Sequence, residues 1–194
     1  LRISFEEGIQ GTLASNTTAI HITDLHKSYG PAHVLNGVNL NVDQGEFYAL
    51  MGPNGSGKST LSAIVASVVK FDSGIVEVFG TKPTEARKSI GYVPQDNFSI
   101  PLLTCRENLM YFAGVLGYSG REARKMADDL LGKVGLTVDA DKRASQCSGG
   151  MRKRLEVATA LFPGIKLLIL DEPTTGLDPA ARREFFNLIK GTVD

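Results

Sequence analysis

The sequence predicts an α/β fold in three stretches: strand-rich first, helical in the middle, and α/β again at the end. Three observations predict it. Short apolar runs bounded by glycine and turn residues fill the chain up to Pro94. From Thr104 to Val134 apolar residues recur at helical spacing. Beyond that, a further amphipathic pattern leads into the compact apolar run Leu167–Leu170. With 194 residues, 42% hydrophobic and 22% charged, the chain suits one domain with a sizeable core and room for an inserted subdomain.

Residues 1–18 mix charges, glycines and a polar Ser15-Asn16-Thr17-Thr18 stretch without a sustained period, and read as a leader of undefined structure. The core begins near Ala19. Ile20, Ile22 and Leu25 predict a first strand; Val34, Val38, Leu40 and Val42 predict a second, ending at the Gln44-Gly45 turn. Phe47–Met51 reads as a short apolar strand running into a glycine-rich loop, and Leu61, Ile64, Val65 and Val68 as the helix that follows. Ile75, Val76, Val78 and Phe79 make a strand closed by Gly80, and Ile90–Pro94 another. In the middle, Ala123, Met126, Ala127, Leu130, Leu131 and Val134 trace one helical face, with Arg124, Lys125, Asp128 and Asp129 on the other. Met151, Leu155, Ala158 and Phe162 predict a second helix, Leu167–Leu170 a strand, and Phe185, Leu188 and Ile189 a last helix.

Composition excludes several classes. Lys plus Arg and Asp plus Glu number 21 each, so no net charge points to a nucleic-acid or anionic-membrane partner. The local cluster Arg152-Lys153-Arg154 fits an exposed helix face better than a nucleic-acid contact. Leu61–Val69, the longest weakly polar run, falls far short of the ~20 residues that span a bilayer. No basic-then-apolar signal pattern opens the sequence. Cys105 and Cys147 are distant and outside any C-x-x-C pattern, which favours free thiols in a reducing compartment over a disulfide. His21, His26 and His33 lack acidic or cysteine partners at metal-site spacing and read as surface or strand-edge residues.

Gly52-Pro53-Asn54-Gly55-Ser56-Gly57-Lys58-Ser59 matches G-x-x-x-x-G-K-[ST], between a predicted strand and a predicted helix. Its glycines let backbone N–H groups turn toward phosphate oxygens, and the helix N-terminus adds its positive end. Lys58 would neutralise β- and γ-phosphates, and the Ser59 hydroxyl would ligate Mg2+, with Thr60 next to it among the nucleotide-binding residues. The motif alone does not separate a transporter ATPase from a kinase, GTPase or helicase. Leu167–Leu170 ends in Asp171-Glu172, an apolar strand delivering two carboxylates to the edge of a parallel sheet. Asp171 would hold Mg2+ largely through water, while Glu172 would orient and deprotonate the water attacking the γ-phosphorus.

Cys147-Ser148-Gly149-Gly150-Met151, just before a helix, resembles the LSGGQ signature of ABC ATPases. Tyr29 in Lys27-Ser28-Tyr29-Gly30 is similar to the A-loop aromatic, Gln95 in Tyr92-Val93-Pro94-Gln95 to the Q-loop, and Gly176-Leu177-Asp178 to the D-loop, all in family order. The resemblance covers residues 19–194. It implies a P-loop NTPase core with an N-terminal antiparallel β-subdomain and an inserted α-helical subdomain at about 97–163. It also implies ATP and Mg2+ as ligands, with Tyr29 stacking on adenine unless it merely packs, and Gln95 ligating Mg2+ and reporting it to the helical subdomain. Ser148, Gly149 and Gly150 would form a second anion site at a helix start, closing over the γ-phosphate of a second ABC ATPase domain in a head-to-tail dimer. Asp178 would lie at the same interface.

The stretch Ser148–Glu156 looks especially like the ATPases of ABC-2-type exporters, the daunorubicin-resistance-like group. That implies an integral membrane permease, separate or fused, and a peripheral place on the cytoplasmic face of the membrane. Cys147 and Met151 depart from the usual leucine and glutamine but leave the hydroxyl and backbone ligands in place. The family's switch histidine is expected on a strand beyond Asp194, so the sequence reads as truncated at its C-terminus. Non-transport ABC ATPases share these motifs. Ser148 follows Lys58 by only 90 residues, which leaves no room for the long coiled coil of DNA-repair members. Translation-factor types stay open as the rival, together with a module that binds nucleotide without turnover.

Overall fold

The structure, a computed structural model, describes residues 18–193. The expected leader lies outside the described residues except for Thr18, which opens the first strand. The chain packs as two compact units that divide after Arg87.

The first unit is built on a three-stranded antiparallel sheet in which β1 (Thr18–Tyr29) lies between β2 (Ala32–Asp43) and β3 (Ser73–Val78). Gly30, at φ +57°, turns β1 into β2, a left-handed value that costs glycine no steric strain. Beyond Ala19, the buried side chains of β1 run Ile20, Ile22, then Leu25, breaking strict alternation. Asp24 at φ +49° is the extra residue of a bulge there, with register shifts against both neighbours, and it rotates Leu25 back into the core. Asn39 Oδ1 accepts from the Asp24 amide at 3.0 Å, and Gly74 passes so close that a Cβ would lie 2.4 Å from the Asp24 carbonyl oxygen.

Helix α1 (Lys58–Val65) buries Leu61, Ala63, Ile64 and Val65. It ends earlier than its apolar spacing suggests. Ser67 takes φ +61°, closing the helix in a left-handed residue, and Val68 is exposed rather than on the buried face. The predicted strand at Phe47–Met51 is not formed: the segment belongs to neither sheet, and Phe47, Tyr48, Leu50 and Met51 are exposed. A strand exists through its ladder neighbours, and an apolar run does not specify one. The short helix α2 (Pro83–Ala86), with proline in its first turn, closes the unit.

In the second unit β4 (Ile90–Val93) and β5 (Leu167–Leu170) form a parallel pair, in register from Ile90↔Leu167 to Val93↔Leu170. Between them run α3 (Cys105–Val115), α4 (Gly120–Lys133) and α5 (Gly149–Thr159); α6 (Pro179–Val193) follows β5. Thr104 and Glu107 start α3 with a reciprocal capping box. The predicted stripe Ala123, Ala127, Leu130, Leu131 and Val134 packs with Leu109, Ala113 and Leu155 in one core. On the polar face Asp128 pairs across to Arg106 of α3 rather than along its own helix to Arg124. A second core joins Val93, Val157, Phe185 and Ile189. Gly91 lets β4 lie against the end of α5, where a Cβ would meet the Ala160 carbonyl oxygen at 2.1 Å. Among the described residues no helix is long and apolar enough to cross a membrane.

Candidate functional site

In the first unit the loop 52–56 is exposed and Gly57 is buried at the start of α1. Gly55 (φ +78°) and Gly57 (φ +90°) hold the turn in conformations that L side chains rarely adopt. A Cβ on Gly57 would also sit 2.7 Å from Leu35 Cδ2 and 3.0 Å from the Val34 carbonyl oxygen, so β2 fixes the loop's inner wall. Lys58 Nζ folds back over the loop, donating to the carbonyl oxygens of Gly52 (3.0 Å) and Pro53 (2.9 Å). The first backbone bond of the helix runs from the Leu61 amide to Gly57 O at 2.8 Å, so Lys58, Ser59 and Thr60 occupy its positive end. The charge and the helix terminus both suit an anion.

Tyr29 ends β1 at the same end of the hairpin, two residues from Lys27, which pairs with Leu35. Tyr29 is 50% exposed, and Lys27 Nζ lies 5.0 Å from its ring centroid. Lys27 is itself held by Asp72 at 3.1 Å, and the Ser28 amide donates to the same carboxylate at 2.6 Å. Donation from Lys27, then from Ser28, holds the Asp72 carboxyl below the usual range. This clamp on the Tyr29 strand end left no sequence signal, since Asp72 is 44 residues from Ser28. The three histidines lie on β1 and β2 and each hydrogen-bonds a side chain: His21 with Asn41, His26 with Asp24, His33 with Ser28.

In the second unit β4 and β5 end together, and the residues two beyond each end meet: Gln95 Nε2 donates to Glu172 Oε2 at 3.1 Å. Thr175 Oγ1 donates to the same oxygen at 3.3 Å. Glu172 takes φ +48°, an uncommon value for a residue with a side chain, of the kind that concentrates at functional sites. Asp171 is buried, its amide bonded to the Val93 carbonyl at 2.9 Å. Burial, and then the Asp171 charge, push the Tyr92 phenol pKa up.

Ser148 N-caps α5, its Oγ accepting from the Met151 amide at 3.2 Å. With Gly149, Gly150, Arg154, Asp178 and Glu184 it lines a cleft of about 250 Å3. Asp178 has a task in its own chain: Oδ1 accepts from the Ala180 (2.9 Å) and Ala181 (3.0 Å) amides and starts α6, which lowers its pKa.

Sequence reasoning missed a buried network beside Gln95. Lys153, expected on an exposed face with Arg152 and Arg154, is 7% exposed and donates to the Gln95 carbonyl at 3.0 Å. It sits in the interior because Glu156, fully buried one helical turn on, pairs with it at 3.5 Å. The i, i+3 spacing of opposite charges, Lys153 and Glu156, on a helix that also carries Leu155, Val157 and Ala158 was the available signal. Asn108 was also missed. It is buried, and its side chain bonds the backbone of Ile100, Leu103 and Thr104, stapling the segment ahead of α3.

Ser59 in the first unit, and Gln95 and Asp171 in the second, each carry a side-chain oxygen, the donor type a hard cation takes. With Nε2 committed to Glu172, Oε1 is the end of the Gln95 amide a cation would use. Among the described residues no group of three or more His, Cys, Asp or Glu could hold a metal by itself.

Comparison with known proteins points the same way. The chain is 42% identical over 168 residues to the Nod factor export ATP-binding protein I of Rhizobium sp. (strain N33), covering 84% of the chain and 55% of that protein. It is 37% identical over 182 residues to the daunorubicin/doxorubicin resistance ATP-binding protein DrrA of Streptomyces peucetius, covering 92% of the chain and 55% of that protein. The chain thus spans about half the length of the curated relatives it matches. Among solved structures, the ATP-binding cassette MJ0796, a dimer bound to ADP and Pi after hydrolysis, superposes with a TM-score of 0.79 at 32% identity, covering 90% of this chain and 83% of that one. The family described as ABC transporter matches residues 35–175, from the strand beside Gly57 to the turn that holds Glu172, and the chain belongs to that family.

Proposed function

We propose that residues 19–194 form an ATP-binding and ATP-hydrolysing cassette, with a helical subdomain at about 97–163, and that the full-length protein drives export through a membrane permease. The observation that carries this reading is the Gln95–Glu172 hydrogen bond at the C-terminal edge of the parallel pair. It puts a carboxylate, fixed by two donors, where open α/β sheets bind ligands. Glu172 accepts the proton of the attacking water, and Gln95 and Thr175 keep its carboxylate aimed. The 52–60 segment binds the phosphates: backbone amides and the helix end cradle them, and Lys58 swings from its carbonyl partners to the β- and γ-phosphate oxygens. Tyr29 stacks on adenine with the ring face away from Lys27. Ser59, Gln95 and Asp171 are the residues that would hold Mg2+, which would neutralise charge on the transferring phosphoryl group.

The Ser148–Gly150 amides and hydroxyl close over the nucleotide of a second cassette in a head-to-tail dimer, and Asp178 edges the same cleft. The dimeric state of the MJ0796 cassette supports that assembly. Relatives named for Nod factor export and drug resistance support export as the direction. The permease, separate or fused, holds the cassette at the cytoplasmic face of the membrane, and no nucleic acid takes part. Steady-state ATPase rates of the full-length protein test the assignment. Glu172→Gln is expected to lower turnover at least about 100-fold, with ATP affinity kept within a fewfold range. Unchanged turnover removes Glu172 as the base.

A further inference from the structure

We infer that Lys153 is a positioning residue for Gln95, tying the segment that follows β4 to the helix that begins at Ser148. The inference rests on the reading that Gln95 and Glu172 act on the water and the cation. Lys153 Nζ donates to the Gln95 carbonyl at 3.0 Å, while the Gln95 side chain donates to Glu172 at 3.1 Å. The backbone held by Lys153 is therefore that of the residue whose amide aims the carboxylate. A second link runs in parallel. Glu156, 3.5 Å from Lys153, accepts from Ser99 Oγ at 3.2 Å. Gln95 and Ser99 are thus both fastened to α5 through one ion pair, with Lys153 7%, Ser99 8% and Glu156 0% exposed.

Desolvating two charges is expensive and an apolar pair of the same size is often as stable, so such a pair is a poor choice for stability alone. What it supplies is direction. An ammonium bonded to a single carbonyl holds that peptide unit at one orientation, which an apolar contact does not. Glu156 Oε2 takes no hydrogen bond and meets the ammonium as an ion pair at 3.5 Å, so the donation to the Gln95 carbonyl at 3.0 Å is the tighter of the two links that Lys153 makes. Any displacement of α5 that moves Ser148–Gly150 then also moves the Gln95 backbone, and misplacing a catalytic group by about 1 Å can cost on the order of 100-fold in rate.

The test uses the full-length protein with Lys153→Met, Lys153→Arg and the double variant Lys153→Met/Glu156→Leu, which removes both charges together and is near neutral for stability. Hydrogen exchange is followed at the amides of 95–100 and of α5, and kcat, KM for ATP and the half-saturating Mg2+ concentration are measured. We expect Lys153→Met and the double variant to speed exchange at 95–100 while the interior of α5 keeps its protection. We expect kcat to fall roughly tenfold or more, KM for ATP to change less than about twofold, and Lys153→Arg to restore most of kcat. Unchanged exchange at 95–100, loosened exchange with unchanged kcat, or loss of protection throughout 88–193 would each overturn the inference. A wild-type protein without ATP turnover would defeat the ATPase reading instead, and the exchange result alone would then decide whether Lys153 holds the segment.

Discussion

The two units carry their candidate chemistry in different materials. In the first, the anion cradle is backbone: amides at the start of α1, glycines at φ +78° and +90°, and a lysine resting on its own loop's carbonyls. In the second, the carboxylate beyond β5 is held by side chains, Glu172 by Gln95 and Thr175, and the Gln95 backbone in turn by Lys153. The first design fails when an atom is added, because a Cβ at Gly57 has nowhere to go. The second fails when a donor is removed, because its partners then lose their aim. Damage in the first unit should therefore be steric and show in binding. Damage in the second should show in turnover.

The largest effect expected concerns how dry the interior of the second unit is. Cys105 and Cys147 are free thiols, as expected, but their sulfurs lie 3.6 Å apart in the helical core despite 42 residues of separation. Burial, and then the hydrogen bond with Cys147, push the Cys105 thiol up to about 12. Alkylation of Cys105 at neutral pH should then run on the order of a thousandfold slower than in the denatured chain, where a thiol titrates near 8.5. Mass spectrometry after timed iodoacetamide treatment reads this, and fast native labelling would mean the core is wet. The proton is held more tightly in the folded state, so this group's contribution to stability is complete below the unfolded value. It is lost as pH rises from there toward about 12, a window that alkaline melts can follow.

Next comes the charge in the cradle. Lys58→Ala should weaken nucleotide binding by on the order of 100-fold, the size of a lost charge-assisted hydrogen bond to a phosphate. Isothermal titration with ATP measures it, and normal affinity would remove the loop from the site. Gly57→Ala should act more gently, lowering affinity about tenfold and stability by roughly 1–3 kcal/mol, since φ +90° is strained for alanine and Leu35 must give way. A Gly57→Ala protein that melts and binds like wild type would show that backbone geometry does not set this site.

The same contrast explains what could be read from the sequence. The loop at Gly52–Ser59, the acids at the end of β5 and the Ser148 helix start are local patterns, and each lies where the sequence put it. Element types were legible too, because Ile20, Ile22 and Leu25 or Ala123 and Ala127 carry their period in the chain itself. Phe47–Met51 was misread because strand pairing is decided by distant backbone, and Val68 because one left-handed serine ended its helix. Lys153 looked like surface because a basic triplet says nothing of the carboxylate a turn away that would accompany it inward. The Asp72 clamp and the Asn108 staple were illegible for a related reason, since each joins side chain to backbone contributed by another segment.

The most direct test of the account is nucleotide-driven dimerisation of the full-length Glu172→Gln variant, followed by light scattering with and without ATP and Mg2+. If the 52–60 loop binds ATP and the Ser148–Gly150 end of α5 closes over a partner's nucleotide, ATP should convert monomer to a stable dimer. Adding Lys58→Ala should return the protein to monomer. A Glu172→Gln protein that binds ATP yet stays monomeric would contradict the assignment of that cleft, and one that binds no ATP would contradict the account as a whole.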